Sequence, residues 1–556
     1  MRLDSKPRIL NIVVTILFLG NLLTALESPY NPKAPWNPDN GDGTFTNPII
    51  HADYSDPDVI RVDDDYYMVA SSFSHFPGLP ILHSKDLVNW KIIGHAIQDY
   101  PFPEFGKPQH GMGVWAPAIR YRNGEFMIYF GDPDRGIFLT KAKNPAGPWD
   151  PLQLIRKVTG WIDPCPLWDD DGNAYLVHAF ANSRVGIKSI LAVNRMSSDG
   201  ITILDDGIIV FVGHYTHPTL EGPKFYKRNG YYYIFAPAGG VKNGWQTILR
   251  SKNVFGPYEY RNALAQGNTN INGPHQGAWI DTKAGEDWFI HFQDRYAYGR
   301  ITHLQPMHWE FDWPVIGINQ DSTGCGEPVK SWKKPNVGKD YPMEAPQTSD
   351  EFDTRELGLQ WQWQADIRDE SFYSLVDRAN WLRLFAQPLE LNANLYTSSA
   401  ILLQKFPSPS FSITTKMDVT GLRNGDKGGL IIFGLDYAYI GIEHTGESLS
   451  LIQNMCKKAD KGSQEKNLSK IFLDKKIVWL RAEVHQESDT SIIPRVLCTF
   501  SYSIDGTSFR FIEQDFIVRE GYWVGAKAGL FTATHENSAP LGYADFDNFI
   551  IEHKER

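Results

Sequence analysis

Five aromatic-rich segments recur between residues 46 and 317, and they constrain the fold more than any other feature of the chain. Each follows an acidic or glycine turn, as in DDDYYMVAS and NGYYYIFA. The segments centre on Tyr67, Phe126, Tyr175, Tyr232 and Trp288, at spacings of 59, 49, 57 and 56 residues. Repeats of about 40–50 residues built from short strands are typical of β-propellers, whereas a parallel β-helix has a much shorter repeat. The pattern predicts an all-β chain with a five-bladed β-propeller over residues 46–317.

A second pattern lies eleven or twelve residues before four of these aromatics. At that phase the sequence has Asp56, Trp115, Asp163 and Glu221. Residues at one phase of a closed repeat meet at one end of the propeller channel, so three carboxylates are expected to converge. Acidic residues ahead of proline can instead form turns. Three of them at one phase favour a shared site.

Clustered carboxylates without histidine or cysteine partners favour proton transfer over transition-metal binding. Glycoside hydrolysis needs two of them, one as an acid and one as a base or nucleophile. A third carboxylate nearby raises the pKa of the acid, because neighbouring negative charges disfavour ionisation. Trp115 at the same phase offers a ring face for a sugar, and a packing role is its alternative.

The motifs NPIIHADYSDPDVIRV, GVWAPAIRY, WIDPCPLWDDDG, LEGPKFYKRNGYYY and GPHQGAW occur in this order. Together they resemble glycoside hydrolase family 43, which contains β-xylosidases, α-L-arabinofuranosidases and arabinanases on five-bladed propellers. The resemblance implies an inverting mechanism. Asp56 would be the general base and Glu221 the general acid, while Asp163 would orient the acid and modulate its pKa. Asp58 is the alternative base, since strand alternation places it on the same side as Asp56.

The resemblance suggests roles for His275 and Arg300, and the stretch around Phe73 offers a third candidate. His275 matches a histidine that faces a calcium ion or water in many members, although a lone histidine is more often structural and calcium prefers oxygen ligands. Arg300 matches an arginine that contacts the terminal sugar, with a structural salt bridge as the alternative. Phe73 would add an apolar wall to the pocket or pack in the core. The chemistry requires no cofactor, and calcium would be structural.

The flanking segments complete the domain organisation. Residues 1–26 have a basic start and an apolar run that is typical of a secretory signal peptide. A membrane anchor is the alternative, which the Asn and Gly residues in the run disfavour. Residues 27–45 are predicted to be an extended N-terminal segment and 318–349 a linker. Export to the periplasm or the extracellular space would leave no membrane span after processing.

Residues 350–556 show alternating strands and predict a β-sandwich. This part resembles the concanavalin-like jelly roll attached to many β-xylosidases of the family, where it closes one side of the pocket and favours action on chain ends. A carbohydrate-binding module is the alternative role. Four distant cysteines indicate neither a disulfide scaffold nor a zinc site, and pairing of Cys456 with Cys498 stays open.

The net charge of −11, without a basic tract, disfavours nucleic acid as a partner. A xylo- or arabino-oligosaccharide is the expected partner. The predicted function is exo-acting, inverting release of terminal β-D-xylose or α-L-arabinofuranose from plant cell-wall oligosaccharides. The GVWAP segment and the attached sandwich favour xylose over arabinose, and activity on both sugars stays open. A non-catalytic carbohydrate-binding propeller is the alternative, and the oligomeric state is left open.

Overall fold

The computed structural model describes residues 34–320, 323–367, 370–487, 493–535 and 540–554. Nearly all regular structure in these ranges is β-strand, arranged as a five-bladed propeller followed by a β-sandwich. The predicted fold class is therefore confirmed. No helix in the described ranges is long and apolar enough to cross a membrane. The predicted signal peptide and the first residues of the N-terminal segment lie outside the described ranges.

Each propeller blade is a four-stranded antiparallel sheet made of consecutive strands, the first lying innermost. Blade 1 comprises Asp58–Val62, Asp65–Val69, Gly78–Ser84 and Trp90–Ile97, and blade 2 comprises Trp115–Arg122, Glu125–Asp132, Gly136–Ala142 and Gln153–Lys157. Blade 3 comprises Trp161–Trp168, Ala174–Phe180, Ile190–Met196 and Ile208–Val212, and blade 4 comprises Lys224–Arg228, Tyr231–Ala238, Trp245–Ser251 and Glu259–Ala265. Blade 5 comprises His275–Asp281, Asp287–Asp294, Arg300–Glu310 and Trp313–Ile316. The five repeat aromatics all lie in second strands.

The aromatic and β-branched residues form strands because they pack well on pleated surfaces, and here they fill the spaces between blades. Tyr67 of blade 1 contacts Phe126 of blade 2 edge to face, with ring centroids 5.1 Å apart. Blade 5 returns against blade 1, where Ile290 and Leu304 join the cluster of Met68. This packing closes the ring and brings the starts of the inner strands together.

The segments around the propeller fasten it at blade 1 and blade 5. Strand Thr44–Thr46 of the N-terminal segment pairs with strand Ser331–Lys333 of the linker. The Asn47 side chain donates to the carbonyls of Leu304 (2.8 Å) and Val329 (2.9 Å). The described residues of the linker therefore run along the propeller before the chain reaches the sandwich.

The C-terminal domain consists of two stacked β-sheets, each of eight described strands. One contains Gln362–Trp363, Gln387–Pro388, Ile401–Lys405, Asp426–Phe433, Tyr437–Thr445, Ser448–Cys456, Lys466–Leu473 and Lys527–Thr534. The other contains Tyr373–Ser374, Leu382–Phe385, Phe411–Asp418, Ile477–Gln486, Val496–Ser503, Arg510–Ile517, Tyr543–Phe546 and Ile550–His553. Leu430 and Leu530 of the first sheet pack on Leu480 and Phe500 of the second.

Cys456 and Cys498 lie in different sheets of this sandwich and are free thiols, so they do not pair. The short helices within the described ranges are connectors. They are Pro103–Gly106, Asn182–Val185, Gly240–Asn243, Tyr296–Tyr298, Glu370–Phe372, Leu395–Thr397 and Ala459–Lys461.

Candidate active site

A pocket of about 270 Å³ opens at the end of the propeller where the inner strands begin. Asp56, Asp163 and Glu221 all line it, from blades 1, 3 and 4. The other predicted substrate-contacting residues, Trp115, Phe73 and Arg300, line the same pocket. Lining residues that the sequence reasoning missed are Ala116, Ile162, Phe180, Ala181, Asn182, Ser183, Lys188, Thr219, Gln276 and Trp523.

The carboxylates converge because every inner strand begins with the same backbone irregularity. One residue at each start has a left-handed conformation, with φ of 57° at Asp56, 33° at Ala116, 57° at Asp163, 60° at Gly222 and 36° at Gln276. In blades 2, 3 and 5 it coincides with a shift of strand register. Such bulges re-aim side chains next to active sites. Aspartate and glycine are among the residues that adopt this conformation most readily, which explains both the DP and the EGP motifs.

Asp56 is almost completely buried, with 5% of its surface exposed. Its Oδ2 accepts hydrogen bonds from the hydroxyls of Ser55 (2.7 Å) and Ser71 (2.6 Å). Nη1 of Arg300 lies 3.4 Å from Oδ1. These donors fix the orientation of the carboxylate and supply a positive charge beside it, which suits a group that must accept a proton from water.

Asp58, the alternative base, has different surroundings. Its Oδ2 accepts from the peptide N–H of Ile119 and from Arg120, both at 2.8 Å, and Nζ of Lys224 lies 3.9 Å from Oδ1. The side chain is completely buried and is not part of the pocket lining. Asp58 therefore joins the inner strands of three blades below the pocket, which favours Asp56 as the base.

Asp163 and Glu221 form the second acidic group of the pocket. The peptide N–H of Gly222 donates to Oδ2 of Asp163 at 2.7 Å, so the carboxyl of blade 3 contacts the residue next to Glu221. Asp163 is 6% exposed, whereas the Glu221 side chain is 32% exposed. Burial, followed by the charge of Glu221, raises the pKa of Asp163 to about 8. The pair therefore retains one proton near neutral pH.

We expect Asp163→Asn to shift the basic limb of the kcat/KM profile to lower pH by about one unit or more. A pair of adjoining carboxyls retains one proton because two negative charges repel, and the neutral amide removes that repulsion, so the site loses its proton at lower pH. Rates measured from pH 5 to 9 check this. Asp171→Asn, an exposed change in the same blade, is the control and should leave the limb in place.

The same substitution has an expected effect on stability, with a defined sign. The folded-state pKa of Asp163 lies above its ordinary value of 3.8. The stability that this carboxyl contributes to the folded state is therefore fully present below about pH 4 and is lost as the pH rises through 8. Asp163→Asn should therefore unfold at a higher temperature than the wild type at pH 8.5. An equal rise in unfolding temperature at pH 4 would show that the raised pKa of Asp163 is not the cause.

Trp115 and Phe73 form an apolar side of the pocket. Their ring centroids are 6.3 Å apart at an interplanar angle of 64°. The guanidinium of Arg184 lies 5.5 Å from the Trp115 ring. Phe73 is buried and its backbone N–H donates to Val114, so it lines the pocket while also packing in the propeller.

Arg300 is held from two directions. Its Nη1 donates to the Ser55 hydroxyl at 2.6 Å, and its peptide N–H donates to Oδ1 of Asp53 at 2.9 Å. Arg300 also lies beside Asp56. It therefore lines the pocket, as a sugar-contacting residue would, and it also pairs with a carboxylate, as a structural salt bridge would. A guanidinium in this position can donate to sugar hydroxyls.

His275 contacts an acid rather than a cluster of metal ligands. Its Nε2 lies 3.3 Å from Oε1 of Glu221, and its buried Nδ1 has no hydrogen-bond partner among the described residues. Within the described ranges no three His, Cys, Asp or Glu side chains are grouped to hold a metal ion. One imidazole does not match the oxygen-rich shell that calcium prefers. A calcium ion at His275 stays a prediction.

Trp523 brings the sandwich domain into the pocket. The carboxylate of Asp53 joins the domains there, because it accepts from Arg300 N through Oδ1 and from Gly525 N through Oδ2 (3.0 Å). Gly299 and Gly525 pack so closely that a Cβ on Gly299 would lie 2.6 Å from Gly525 N. This docking fixes the loop that carries Trp523. Its sequence signal was the adjacent aromatic pair between glycines in GYWVG.

Comparison with known proteins agrees with this architecture. Residues 45–314 match the sequence model described as glycosyl hydrolases family 43, and residues 349–552 match that of the beta xylosidase C-terminal concanavalin A-like domain. A protein from Xylanibacter ruminicola is 41% identical over 89% of this chain and 87% of its own length. A non-reducing end alpha-L-arabinofuranosidase from Bacteroides ovatus is 31% identical over 74% of this chain and 79% of its own length.

Among solved structures, a xylan beta-1,4-xylosidase from Bacillus halodurans superposes with a TM-score of 0.80 at 25% identity. The match covers 91% of this chain and all of that one. Both domains and their order are therefore shared with these relatives. The chain belongs to glycosyl hydrolase family 43.

Proposed function

We propose that this protein is an exo-acting, inverting glycosidase that releases terminal β-D-xylose or α-L-arabinofuranose from plant cell-wall oligosaccharides. One observation carries the proposal: Asp56 and the Asp163–Glu221 pair lie on different blades of a single pocket. The two acidic groups differ in environment, since donors surround Asp56 while a proton is retained at the pair. Inversion requires one carboxyl that accepts a proton from water and a second that gives a proton to the leaving oxygen.

In the proposed reaction, the Asp56 carboxylate takes a proton from a water molecule as the water oxygen attacks the anomeric carbon. On the other side of the sugar, Glu221 gives its proton to the glycosidic oxygen as the bond to the leaving group breaks. The water oxygen ends on the anomeric carbon with inverted configuration. Asp56 is left protonated and Glu221 ionised, so one proton transfer restores the enzyme.

The neighbouring residues support these roles. Asp163 and Glu221 hold one proton between them because two adjoining negative charges repel, and this keeps a proton available for the leaving oxygen. Arg300 orients Asp56 and is available to sugar hydroxyls. Phe73 and Trp115 supply the ring and edge surfaces against which a pentose packs. Trp523 of the sandwich limits the pocket on one side, which favours a terminal sugar over an internal one.

The choice of pentose is the finer part of the proposal. The matched relatives include a β-xylosidase and an α-L-arabinofuranosidase, so both sugars are candidates, with xylose favoured by the Bacillus halodurans structure and the C-terminal domain match. Because these relatives are named as glycosidases, a propeller that only binds carbohydrate is the less favoured alternative. Export through residues 1–26 is part of the same proposal, because plant polysaccharides lie outside the cell.

The test compares hydrolysis of an aryl β-D-xyloside with that of an aryl α-L-arabinofuranoside, and proton NMR identifies the first sugar anomer released. We expect free pentose from at least one substrate, with α-xylose appearing first from the β-xyloside. Initial appearance of β-xylose would contradict inversion. Absence of pentose release from both substrates and from xylo-oligosaccharides would contradict the proposed function itself.

A further inference from the structure

A second pocket of about 300 Å³ adjoins the candidate active site. Arg300 and Trp523 line both pockets, so these two side chains form the wall between them. None of the three acids lines the second pocket. Its volume falls at the lower end of the range of about 300–1,000 Å³ that is common for small-molecule sites. The chain thus has two adjoining cavities of similar size, and only one contains the catalytic groups.

Separate parts of both domains build the second pocket. Lys242 comes from the helix Gly240–Asn243 of blade 4, and Tyr296 comes from the connection between the second and third strands of blade 5. Leu435 and residues 520–524 of the sandwich close the remaining side. The pocket exists only when the two domains are docked. The Asp53 hydrogen bonds to Arg300 and Gly525 fix that docking directly beside it.

Three aromatic side chains line this pocket. Tyr522 and Trp523 are 49% and 48% exposed, although they are large apolar groups next to each other in sequence. Tyr296 contributes a third ring, with Nζ of Lys242 4.7 Å from its centroid. Tyr296 and Trp523 both have left-handed backbones, with φ of 55° and 65°. Bulky residues rarely adopt this conformation, and such residues concentrate at ligand sites.

The charges around these rings are balanced. Lys242 and Arg300 are cationic, whereas Asp294 and Glu520 are anionic. Such a lining offers hydrogen-bond donors and acceptors at once, without a net field that would select a phosphate or an amine. Aromatic faces with both kinds of polar partner match a neutral polyhydroxylated ring, which has apolar C–H faces and hydroxyl edges.

We propose that the second pocket binds a neutral sugar ring of the pentose class, so that the protein holds two rings on opposite sides of Trp523 and Arg300. This inference rests on the proposed function, since the first ring is the one whose bond is cleaved. The second ring comes either from a neighbouring branch of the same oligosaccharide or from free pentose. Both sources have the same chemistry, and the experiment distinguishes them.

The first experiment compares kcat/KM for a branched pentosyl oligosaccharide with kcat/KM for an aryl pentoside. Tyr296→Asn removes a ring while keeping a residue that tolerates the left-handed backbone, and Tyr522→Ser removes another from an exposed loop. We expect the oligosaccharide-to-aryl ratio to fall about three- to tenfold in each variant, as estimated for loss of one aromatic contact. Phe311→Ala, which removes a 94% exposed ring from a distant hairpin of blade 5, should leave the ratio unchanged.

The second experiment measures binding by calorimetry in a Glu221→Gln background, with free D-xylose in one arm and the branched oligosaccharide in the other. Weaker binding of both ligands by Tyr296→Asn identifies a site for any pentose ring. Weaker binding of the oligosaccharide alone identifies the ring as a neighbouring branch. Unchanged binding in both arms, with unchanged kinetic ratios in both variants, overturns the inference. A wild type inactive on every pentoside would instead overturn the proposed function.

Discussion

Asp56→Asn is expected to lower kcat/KM by about 10²–10⁴-fold on every pentoside, whatever its leaving group. The amide keeps the size of the carboxylate and can still accept from the Ser55 and Ser71 hydroxyls. It cannot take a proton from water. Because water attacks the anomeric carbon in each substrate, a better leaving group does not restore the rate. Steady-state rates on a series of aryl pentosides with leaving groups of different acidity measure this.

Asp63→Asn is the matched control for that experiment. It makes the same chemical change in the same blade, at an exposed turn residue that also has a left-handed backbone, with φ of 56°. Its rates should equal those of the wild type. If Asp56→Asn retained activity within tenfold of the wild type on all substrates, Asp56 would not be the base. Equal thermal unfolding midpoints of the two variants exclude misfolding as the cause.

The convergence of the carboxylates could be predicted because a closed repeat converts sequence phase into spatial position. Asp56 and Asp163 each take the left-handed position themselves, whereas Glu221 precedes Gly222, which takes it in blade 4. The sequence spacing therefore placed all three acids at one end of the propeller. It could not separate their chemistry, since Asp56 and Asp163 occur in almost identical motifs.

The environments that distinguish those two aspartates come from residues outside their own motifs. Asp56 receives the Ser71 hydroxyl and lies beside Arg300, which belongs to the fifth blade. Asp163 instead faces Glu221 and accepts from Gly222. Such partners depend on the angle between blades and on rotamers, which a repeat pattern does not specify. The resemblance to family 43 supplied the roles that spacing alone left open.

Trp523 and the second pocket were beyond sequence reasoning for a different reason. They depend on how two domains dock, through the Asp53 carboxylate and the contact of Gly299 with Gly525. The partners in that contact are more than 200 residues apart, and neither domain's own strand pattern records it. The exposed pair of Tyr522 and Trp523 was the available signal, because large adjacent aromatics in a loop often mark a binding surface.

Glu221→Gln is expected to lower kcat/KM on xylo-oligosaccharides by about 10²–10⁴-fold, while a dinitrophenyl pentoside loses little. A sugar leaving group needs a proton on the departing oxygen, whereas an acidic phenol leaves as the anion without one. The dependence of rate on leaving-group acidity should therefore be steep in Glu221→Gln and shallow in the wild type. This difference distinguishes the acid from the base, because Asp56→Asn should lower kcat/KM by the same factor on every substrate.

The position of Glu221 explains why its loss should be so specific to the leaving group. It is the most exposed of the three acids, its neighbour Asp163 keeps a proton in the pair, and Nε2 of His275 holds Oε1. Glu259→Gln, an exposed change in the same blade, should leave the leaving-group dependence of the wild type intact. Equal losses on the oligosaccharide and the dinitrophenyl pentoside in Glu221→Gln would refute its role as proton donor. The blade 4 carboxyl would then act on water or on sugar position, and the acid would have to be Asp163.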